Sequence, residues 1–358
     1  MRLLLTACLL TSLAGSARAE DAAVPLFNGK DLTGWVNVNC GPKTFTVQGD
    51  CIVTDGRPTG FLRTAKQYEN FVLEMDWKHT NTKEVGNSGL FVWGDPLPAV
   101  GTGYTRGIEV QVLVNYETDW ATSHGDLFSI WGAKCKPDRP HPKGMERCLP
   151  SERLCKGGGE WNHYKVVAQN GTIKLHVNGK EVSGVGECNP RKGYLALESE
   201  GAECRFKNLT IIEKPSTMPT AAQTADVAAG HQSLYTGLDF TGWTPGDAKD
   251  WRAGEVITCT GASPLTSDAS YGKGQLVFDY KSPGGEVGVT LGTAKLTLTA
   301  KPNTWTRATL NVGTTIAGTV GGEAFTMKQR LLPSPGPIGF AGVPKLELRN
   351  IFYQEAAK

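Results

Sequence analysis

The chain has 358 residues, which is enough for about two globular domains at the usual size of roughly 150 residues each. Its 37 basic and 35 acidic residues are interspersed and give a net charge of +2, without the basic block or stripe of a nucleic-acid-binding protein. The 44 glycines and 20 prolines suit many turns between short strands. Composition therefore disfavours a DNA-binding protein, a coiled coil and a disordered tail, and we expect no nucleic-acid partner.

Residues 1–19 have the features of a signal peptide. Arg2 supplies the positive charge, the apolar run over 3–13 is too short to span a bilayer, and the sequence ARA ending at Ala19 is a small-x-small cleavage site. A lipoprotein box ending at Cys8 competes, but it would leave only a few apolar residues before the cut. No later stretch is apolar enough for a membrane helix, so we predict a periplasmic or secreted protein.

Export affects the interpretation of the cysteines. Eight remain after removal of the signal peptide, and in an oxidising compartment they are expected to form disulfides. No Cys-x-x-Cys pair is present, so zinc binding is disfavoured. Sequence alone leaves the connectivity open. Proximity favours Cys40–Cys51, Cys188–Cys204, and Cys135 with Cys148 or Cys155, which leaves Cys259 as the expected free thiol.

The first half of the chain recurs in the second half. Residues 26–35 (LFNGKDLTGW) and 234–243 (LYTGLDFTGW) are identical at six of ten positions. Three further matches follow in the same order: 68–78 with 271–281, Trp161 with Trp305, and 206–211 with 348–353. We therefore predict a signal peptide (1–19), a first domain (20–214), a Pro-, Ala- and Thr-rich linker (215–230) and a second domain (231–358) that is a shortened, degenerate repeat.

The local pattern is that of β-strands. Residues 71–77, 108–114 and 173–177 alternate apolar and polar side chains at period two, as half-buried strands do. Asn170-Gly171 and Asn178-Gly179 are strong signals for type I′ hairpin turns. No stretch shows a 3.6-residue apolar period with caps, so we predict an all-β protein of two β-sandwich domains in tandem.

The second copy lacks a long segment of the first. Trp93 and Trp161 are separated by 67 residues, whereas the corresponding Gly292 and Trp305 are separated by 12. We expect the missing segment to include 106–114 and the polar stretches after it. The sandwich fold does not need polar groups that are absent from the second copy. We therefore predict that any catalytic site lies in the first domain. If the second domain folds separately, truncation after Lys214 should then spare most activity.

Several motifs in the first domain occur in a characteristic order: LFNGKDLTGW, NSGLF, GIEVQV, HGDLF, EWNHYKV, GYLALESEG and CRFKNL. In this combination, residues 26–213 resemble the 3-keto-disaccharide hydrolase domain family. The resemblance implies a concanavalin-like jelly roll, an exported protein of sugar degradation, and a glycoside or oligosaccharide substrate oxidised to a ketone at C3. The second copy resembles only the framework of that family.

The implied reaction needs particular groups. A C3 ketone acidifies the proton on C2, so a base can remove it, the C1 substituent departs by β-elimination, and water adds back. The site then needs a general base, a donor or cation for the enolate oxygen, and an acid for the leaving oxygen. An ordinary glycosidase needs two carboxyls flanking C1. A glucanase-type strand motif begins at Glu74 and Asp76, but His79 replaces its last glutamate, which disfavours that reaction.

The candidate catalytic residues are Glu109, His124, Asp126 and Glu200, and the candidate substrate-binding residues are Asn87, Gln111, Arg139, His141, Glu160, Asn162 and Glu198. Glu109 and Gln111 project from one strand face, which is either the floor of a sugar cleft or an ordinary solvent face. The other candidates have plainer alternatives too: a capped turn for His124 and Asp126, a solvated loop for Arg139 and His141, and pairing with Arg205 for the two later glutamates. A divalent metal cofactor is left open.

Two other classes of function remain. A non-catalytic carbohydrate-binding protein would have a cleft lined by flat exposed aromatic rings, without converging carboxylates and histidine. A structural or adhesive surface protein, suggested by the duplication and the expected disulfides, would have no pocket at all.

Overall fold

The structure is a computed structural model that describes residues 22–327 and 335–356, so the predicted signal peptide and its cleavage site lie outside the described residues. Within these ranges the regular structure is β, apart from one 3-10 turn at Ala221–Gln223. None of the helical structure in the described ranges is long and apolar enough to cross a membrane. The prediction of an all-β protein is confirmed.

Sixteen strands lie in the first half of the chain: β1 (Val24–Pro25), β2 (Trp35–Asn37), β3 (Phe45–Gln48), β4 (Cys51–Thr54), β5 (Gly60–Thr64), β6 (Phe71–His79), β7 (Gly86–Gly94), β8 (Gly107–Val114), β9 (Leu127–Ile130), β10 (Lys134–Pro137), β11 (Arg147–Cys148), β12 (Asn162–Gln169), β13 (Thr172–Val177), β14 (Lys180–Asn189), β15 (Tyr194–Ser199) and β16 (Cys204–Glu213). Thirteen strands of the second half follow among the described residues: β17 (Gln232–Ser233), β18 (Trp243–Pro245), β19 (Trp251–Arg252), β20 (Ile257–Cys259), β21 (Leu265–Tyr271), β22 (Gly274–Lys281), β23 (Glu286–Leu291), β24 (Ala294–Thr299), β25 (Thr306–Val312), β26 (Ile316–Val320), β27 (Glu323–Thr326), β28 (Gly336–Phe340) and β29 (Glu347–Glu355).

These strands form two β-sandwiches in tandem, each made of two antiparallel sheets. In the first sandwich, the sheet that we call the outer sheet has the order β10-β14-β13-β12-β6-β16-β4-β3, with β1 beside β16. The sheet that we call the inner sheet has the order β11-β9-β8-β7-β15-β5-β2. The same two names are used for the corresponding sheets of the second sandwich. In the second, the outer sheet runs β27-β26-β25-β22-β29-β20-β19, with β17 beside β29, and the inner sheet runs β24-β23-β28-β21-β18. This is the concanavalin-like jelly-roll architecture that the family resemblance implies.

The alternation of side chains determines which face of each strand is buried. In β6, Leu73, Met75 and Trp77 are at most 1% exposed and lie in the core between the two sheets. The predicted hairpins are also present, because Asn170 and Asn178 have φ of 52° and 49° and each precedes a glycine with positive φ. Two consecutive residues with positive φ define a type I′ turn, which fits the right-handed twist of the paired strands.

The two sandwiches have corresponding strand orders. Each strand of the second half has a counterpart in the first, and β9, β10 and β11 are the strands of the first that lack one among the described residues. The expectation that 106–114 is missing from the second copy is wrong, because β24 pairs with β23 as β8 pairs with β7. A tight hairpin places β24 inside the short interval after Gly292. The absent parts lie in the connection between β7 and β8 and in the stretch between β8 and β12.

The predicted disulfides are not formed. All eight cysteines in the described chain are free. Cys259 is free as expected, whereas the six cysteines of the three expected bridges are free contrary to expectation. Two of the thiols contact polar side chains: Cys51 Sγ lies 3.3 Å from Asp50 Oδ1, and Cys155 Sγ lies 3.5 Å from the Tyr164 hydroxyl. Closeness in sequence failed here because the fold, and not the separation along the chain, determines how far apart two thiols lie.

The two sandwiches meet through a small apolar cluster, which we call the joint. Val277 and Phe352, on the outer sheet of the second sandwich, pack against Phe61, Phe91 and Ala196 on the inner sheet of the first, and all five are at most 3% exposed. Truncation after residue 214 would expose this apolar surface, and the survival of activity after such a truncation stays a prediction.

Polar contacts reinforce the joint. The backbone N–H and the hydroxyl of Thr59 each donate to Glu255 Oε1 at 2.8 Å, and the Gly101 N–H donates to Asp279 Oδ2 at 2.9 Å. The segment between the sandwiches also lies against the first one, since the Thr217 N–H and hydroxyl donate to Glu69 at 2.8 and 2.6 Å.

Candidate active site

The inner sheet of the first sandwich carries a cavity of about 330 Å³ on its outward face, which we call the carboxylate cavity. Its polar lining consists of Glu109, Glu198, Glu200, Asn87, Gln111 and Arg147. Its aromatic lining consists of Tyr104, Tyr116, Trp120, Phe128 and Trp131. Three carboxyls, a guanidinium and two amides therefore surround one small volume, which is the mixture of apolar wall and a few polar groups typical of ligand sites.

Strand register brings two of the carboxyls together. Glu109 on β8 and Glu198 on β15 are on either side of β7, where Gly89 separates them. A Cβ built on Gly89 would lie 3.0 Å from Glu109 Oε1 and 3.0 Å from Glu198 Oε2. These two oxygens are therefore no farther apart than twice that distance. The absent side chain at Gly89 leaves the room that the carboxyls occupy.

Burial makes both carboxyls weak acids. Glu109 is 7% exposed, and burial together with the nearby Glu200 charge raises its pKa to about 8, against an opposing effect of Arg147. Glu198 is fully buried, neither of its carboxyl oxygens has a hydrogen-bond partner, and its pKa is raised well above the usual value by burial and by the other two glutamates. A buried carboxyl without partners is more stable with a proton than without one.

Glu200 lies in a different environment. Tyr104 donates its hydroxyl to Glu200 Oε1 at 2.8 Å, and Asn87 donates its amide to Glu200 Oε2 at 2.5 Å. Burial raises the pKa of Glu200, whereas these two hydrogen bonds lower it because they stabilise the charged form. Gln111 in turn donates to the Asn87 Oδ1 at 2.8 Å. Burial is the larger effect, so the pKa of Glu200 is raised overall, and Glu200 is the hydrogen-bonded carboxyl of the group.

Arg147 is the cation of the cavity. Its Nη1 donates to Asp126 Oδ2 at 2.8 Å, and its guanidinium carbon lies 3.7 Å from the ring centre of Phe128 and 5.3 Å from that of Trp120. Asp126 is fully buried and also accepts hydrogen bonds from the Thr122 N–H and hydroxyl. Asp126 therefore holds Arg147 in place against two aromatic faces.

The structure brings together some of the candidate residues and separates others. Glu109, Gln111, Asn87, Glu198 and Glu200 all line the carboxylate cavity. The sites outside it are those of His124, Asp126, Arg139, His141, Glu160 and Asn162. The cavity thus brings together three of the candidate glutamates and two of the candidate amides, and both candidate histidines lie outside it.

The residues outside the cavity have other contacts. His124 Nε2 lies 3.5 Å from Glu117 Oε2, and Asn162 is tied to the backbone of Lys156 at 2.8 and 3.2 Å. Arg139 donates to the carbonyls of Leu149 and Val182. The side chain of Glu160 is exposed.

His141 supports the cavity from behind. Its Nδ1 accepts from the Lys143 N–H at 3.0 Å, which leaves Nε2–H to donate to the Trp120 carbonyl at 3.1 Å. It therefore positions a wall residue rather than touching the cavity.

The glucanase-type motif does not lie at the site. Glu74 and Asp76 are on the opposite face of the outer sheet, where His163 contacts both, at 4.0 Å and 2.8 Å. His79 is fully buried and hydrogen-bonded to two backbone carbonyls. This motif therefore contributes nothing to the carboxylate cavity, and the absence of an ordinary glucanase reaction stays a prediction.

Sequence reasoning missed Arg147 and Tyr104. Arg147 follows a Pro-rich loop that looks solvated, and Tyr104 lies in a Gly-rich turn. A usable signal existed for both, because each stands in or beside the segment that the second copy lacks. No group of three or more His, Cys, Asp or Glu residues in the described ranges is placed to hold a metal ion.

Comparison with known proteins identifies the family. The sequence model of the 3-keto-alpha-glucoside-1,2-lyase-like domain matches residues 22–212, and the chain belongs to this family, as the motifs predicted. The 3-keto-disaccharide hydrolase of Bacteroides thetaiotaomicron is 26% identical over an alignment of 182 residues, and the match covers 45% of this chain and 58% of that protein. The match thus spans little more than half the length of that curated relative.

Two solved structures are also similar to this chain. One is a provisionally assigned glycosyl hydrolase from Parabacteroides distasonis, with 25% identity, a TM-score of 0.41, and coverage of 54% of this chain and 94% of that one. The other is the carbohydrate-binding module CBM66 from Bacillus subtilis, with 16% identity, a TM-score of 0.37, and coverage of 50% and 96%.

Proposed function

We propose that the protein cleaves 3-keto-glycosides by elimination followed by hydration, and that the carboxylate cavity is its active site. The observation that carries the proposal is the convergence of three carboxyls in different environments on one buried volume. Family membership supports the same chemistry. Carboxyls whose environments separate their pKa values are the arrangement that acid–base catalysis requires.

The environments suggest a role for each group. Glu109, with a pKa of about 8, is close enough to neutrality to accept the C2 proton. The electron pair moves into the C3 carbonyl, whose enolate oxygen Arg147 stabilises. When the enolate collapses, the C1–O bond breaks, and Glu198 gives its proton to the leaving oxygen. Glu200 stays charged and, by repulsion, keeps the proton on its neighbours.

The hydration step completes the reaction. Water adds across the new double bond, its oxygen to C1 and a proton to C2, which regenerates the free 3-keto sugar. Glu109, protonated after the elimination, exchanges its proton with solvent and then donates to C2, and Glu198, now ionised, accepts the proton of the attacking water. Both carboxyls return to their starting states, so that protons balance over the cycle.

The alternatives fit the cavity less well. A carbohydrate-binding protein without turnover accounts for the aromatic wall, but not for two unpaired or weakly paired carboxyls beneath it. An adhesive surface protein accounts for neither the cavity nor the free thiols. Export remains our proposal on the sequence of the first 19 residues alone.

The test uses a 3-keto-glycoside and its unoxidised parent, followed by NMR in D₂O. We expect cleavage of the 3-keto-glycoside only, with one deuterium at C2 of the released sugar, because elimination and rehydration exchange that hydrogen with solvent. Cleavage of the parent glycoside, or release of a sugar that retains its C2 hydrogen, would instead indicate direct hydrolysis at C1 and overturn the proposal.

A further inference from the structure

A second and larger cavity lies between the two sandwiches. Its volume is about 620 Å³, and we call it the interdomain cavity. The first sandwich contributes Arg63, Asp95 and Trp131, and the second contributes His231, Gln275 and Arg307. Residues 226–229 form a further wall. Because both sandwiches contribute, this cavity exists only when the joint is formed.

Trp131 links the two cavities. It lines both of them, and it is 52% exposed, an unusual state for a tryptophan. One ring face stacks on Tyr104, with ring centres 5.9 Å apart and planes inclined by 11°. Its backbone has φ of 50°, a left-handed conformation that is costly for a bulky residue and is often found at functional sites. A ligand in the carboxylate cavity could therefore extend past this ring into the interdomain cavity.

The polar groups of the interdomain cavity suit a neutral, hydroxyl-rich ligand. His231 Nε2 and Gln275 Oε1 lie 2.8 Å apart, and both side chains are half-buried. Asp95 is neutralised by Arg106 through bonds of 2.7 and 2.8 Å. Arg307 is likewise paired with Asp279, at 2.8 and 2.9 Å. Arg63 and Asp226 also line the cavity and carry opposite charges, and Arg63 donates to the carbonyls of Pro96 and Thr64. The charges therefore sum to zero, and the cavity offers amide, imidazole and guanidinium groups to hydroxyls rather than a net charge to an ion.

We propose that the interdomain cavity is a second sugar subsite, which binds the part of the glycoside that departs from C1. The inference rests on the proposed function, because it requires a glycoside whose 3-keto sugar occupies the carboxylate cavity. It assigns the second sandwich, which lacks the carboxyls, a direct part in choosing the substrate. Glycosides with a sugar as leaving group should then be preferred to those with a small alcohol.

The test blocks the cavity without touching the carboxyls. Ala229 lines it, is exposed, and has open space to fill, so Ala229→Trp should obstruct the cavity without disturbing the core. Ala222→Trp, also exposed but outside this lining, is the matched control. The readout is kcat/KM for a 3-keto-disaccharide and for methyl 3-keto-glucoside, whose leaving group is too small to reach the cavity.

We expect Ala229→Trp to lower kcat/KM for the disaccharide about tenfold or more, the scale of one lost pocket contact, and to leave the methyl glycoside unchanged. Ala222→Trp should change neither. Equal losses on both substrates, or no loss on either, would overturn the subsite while leaving the proposed function intact. A wild-type protein that cleaves neither substrate would overturn the proposed function, and this inference with it.

Discussion

The inner sheets of the two sandwiches correspond strand for strand but carry different side chains. Strand register places Lys295 where the first sandwich has Glu109, and Thr297 where it has Gln111. Ala341 and Val343 follow β28 at the positions that Glu198 and Glu200 occupy in and after β15. The difference shows that the jelly roll does not need this carboxyl cluster, so burial of three acids in the first sandwich requires a functional explanation.

On the outer sheets, it is the second sandwich that carries buried side chains where the first does not. On the first, Glu74 and Thr210 face each other across β6 and β16. The corresponding pair on the second is Val277 and Phe352, which forms the joint. The first sandwich therefore has polar groups on its inner sheet, where they line the carboxylate cavity, and the second has apolar groups on its outer sheet, where they pack against the first sandwich.

An Asp–Asn pair is common to both outer sheets. Asn208 donates to Asp76 at 2.7 Å in the first, and Asn350 donates to Asp279 at 2.7 Å in the second. Both asparagines have positive φ, at 51° and 52°, and lie at a bulge. The framework is thus retained even where the two surfaces have different uses.

The largest effect should come from the carboxyl that the second sandwich lacks. Glu109→Gln keeps the shape of the side chain but removes the proposed base, so turnover of a 3-keto-glycoside should fall by about 10²–10⁴. Steady-state kinetics with the same substrate measure it. Glu181→Gln makes the same change at an exposed glutamate outside the cavity and should leave the rate unchanged. Equal rates in the two variants would exclude Glu109 from the mechanism.

A smaller effect should come from exchanging the outer-sheet residues. Val277→Glu gives the second sandwich the residue of the first and buries an unpaired charge in the joint, which should cost about 2 kcal/mol or more of unfolding free energy. The reciprocal Glu74→Val changes a half-exposed site and should stay within about 0.5 kcal/mol. Urea unfolding measures both. Similar stabilities in the two variants would show that the joint contributes little.

Sequence pattern was sufficient for much of the inner sheet. The alternation of side chains along β8 correctly placed Glu109 and Gln111 on one face of the strand and Ile108 and Val110 on the other face, which lies in the core. It also contained a signal for the joint: β6 alternates regularly, whereas β22 is buried at five consecutive positions and reads as a nearly continuous apolar run. A strand buried on both faces has that pattern.

Other features depend on distances that sequence does not encode. Arg147 reaches the cavity because Asp126, 21 positions earlier, holds it there. The thiols expected to pair are free, because their positions are set by the strand order of the jelly roll and by the loops between strands, not by their separation along the chain. His124 seemed to belong with the glutamates, but its loop places it beside Glu117 instead.

The central claim is that a buried carboxyl with a raised pKa is the base, and the pH dependence of kcat/KM tests it most directly. The base works only when it is deprotonated, so kcat/KM of the wild-type protein should rise about tenfold per pH unit below the pKa of Glu109 and level off above about 8. The Glu109→Gln variant should not show this rise. A profile that is flat or falling as the pH increases through about 8, in the wild-type protein, would contradict the account.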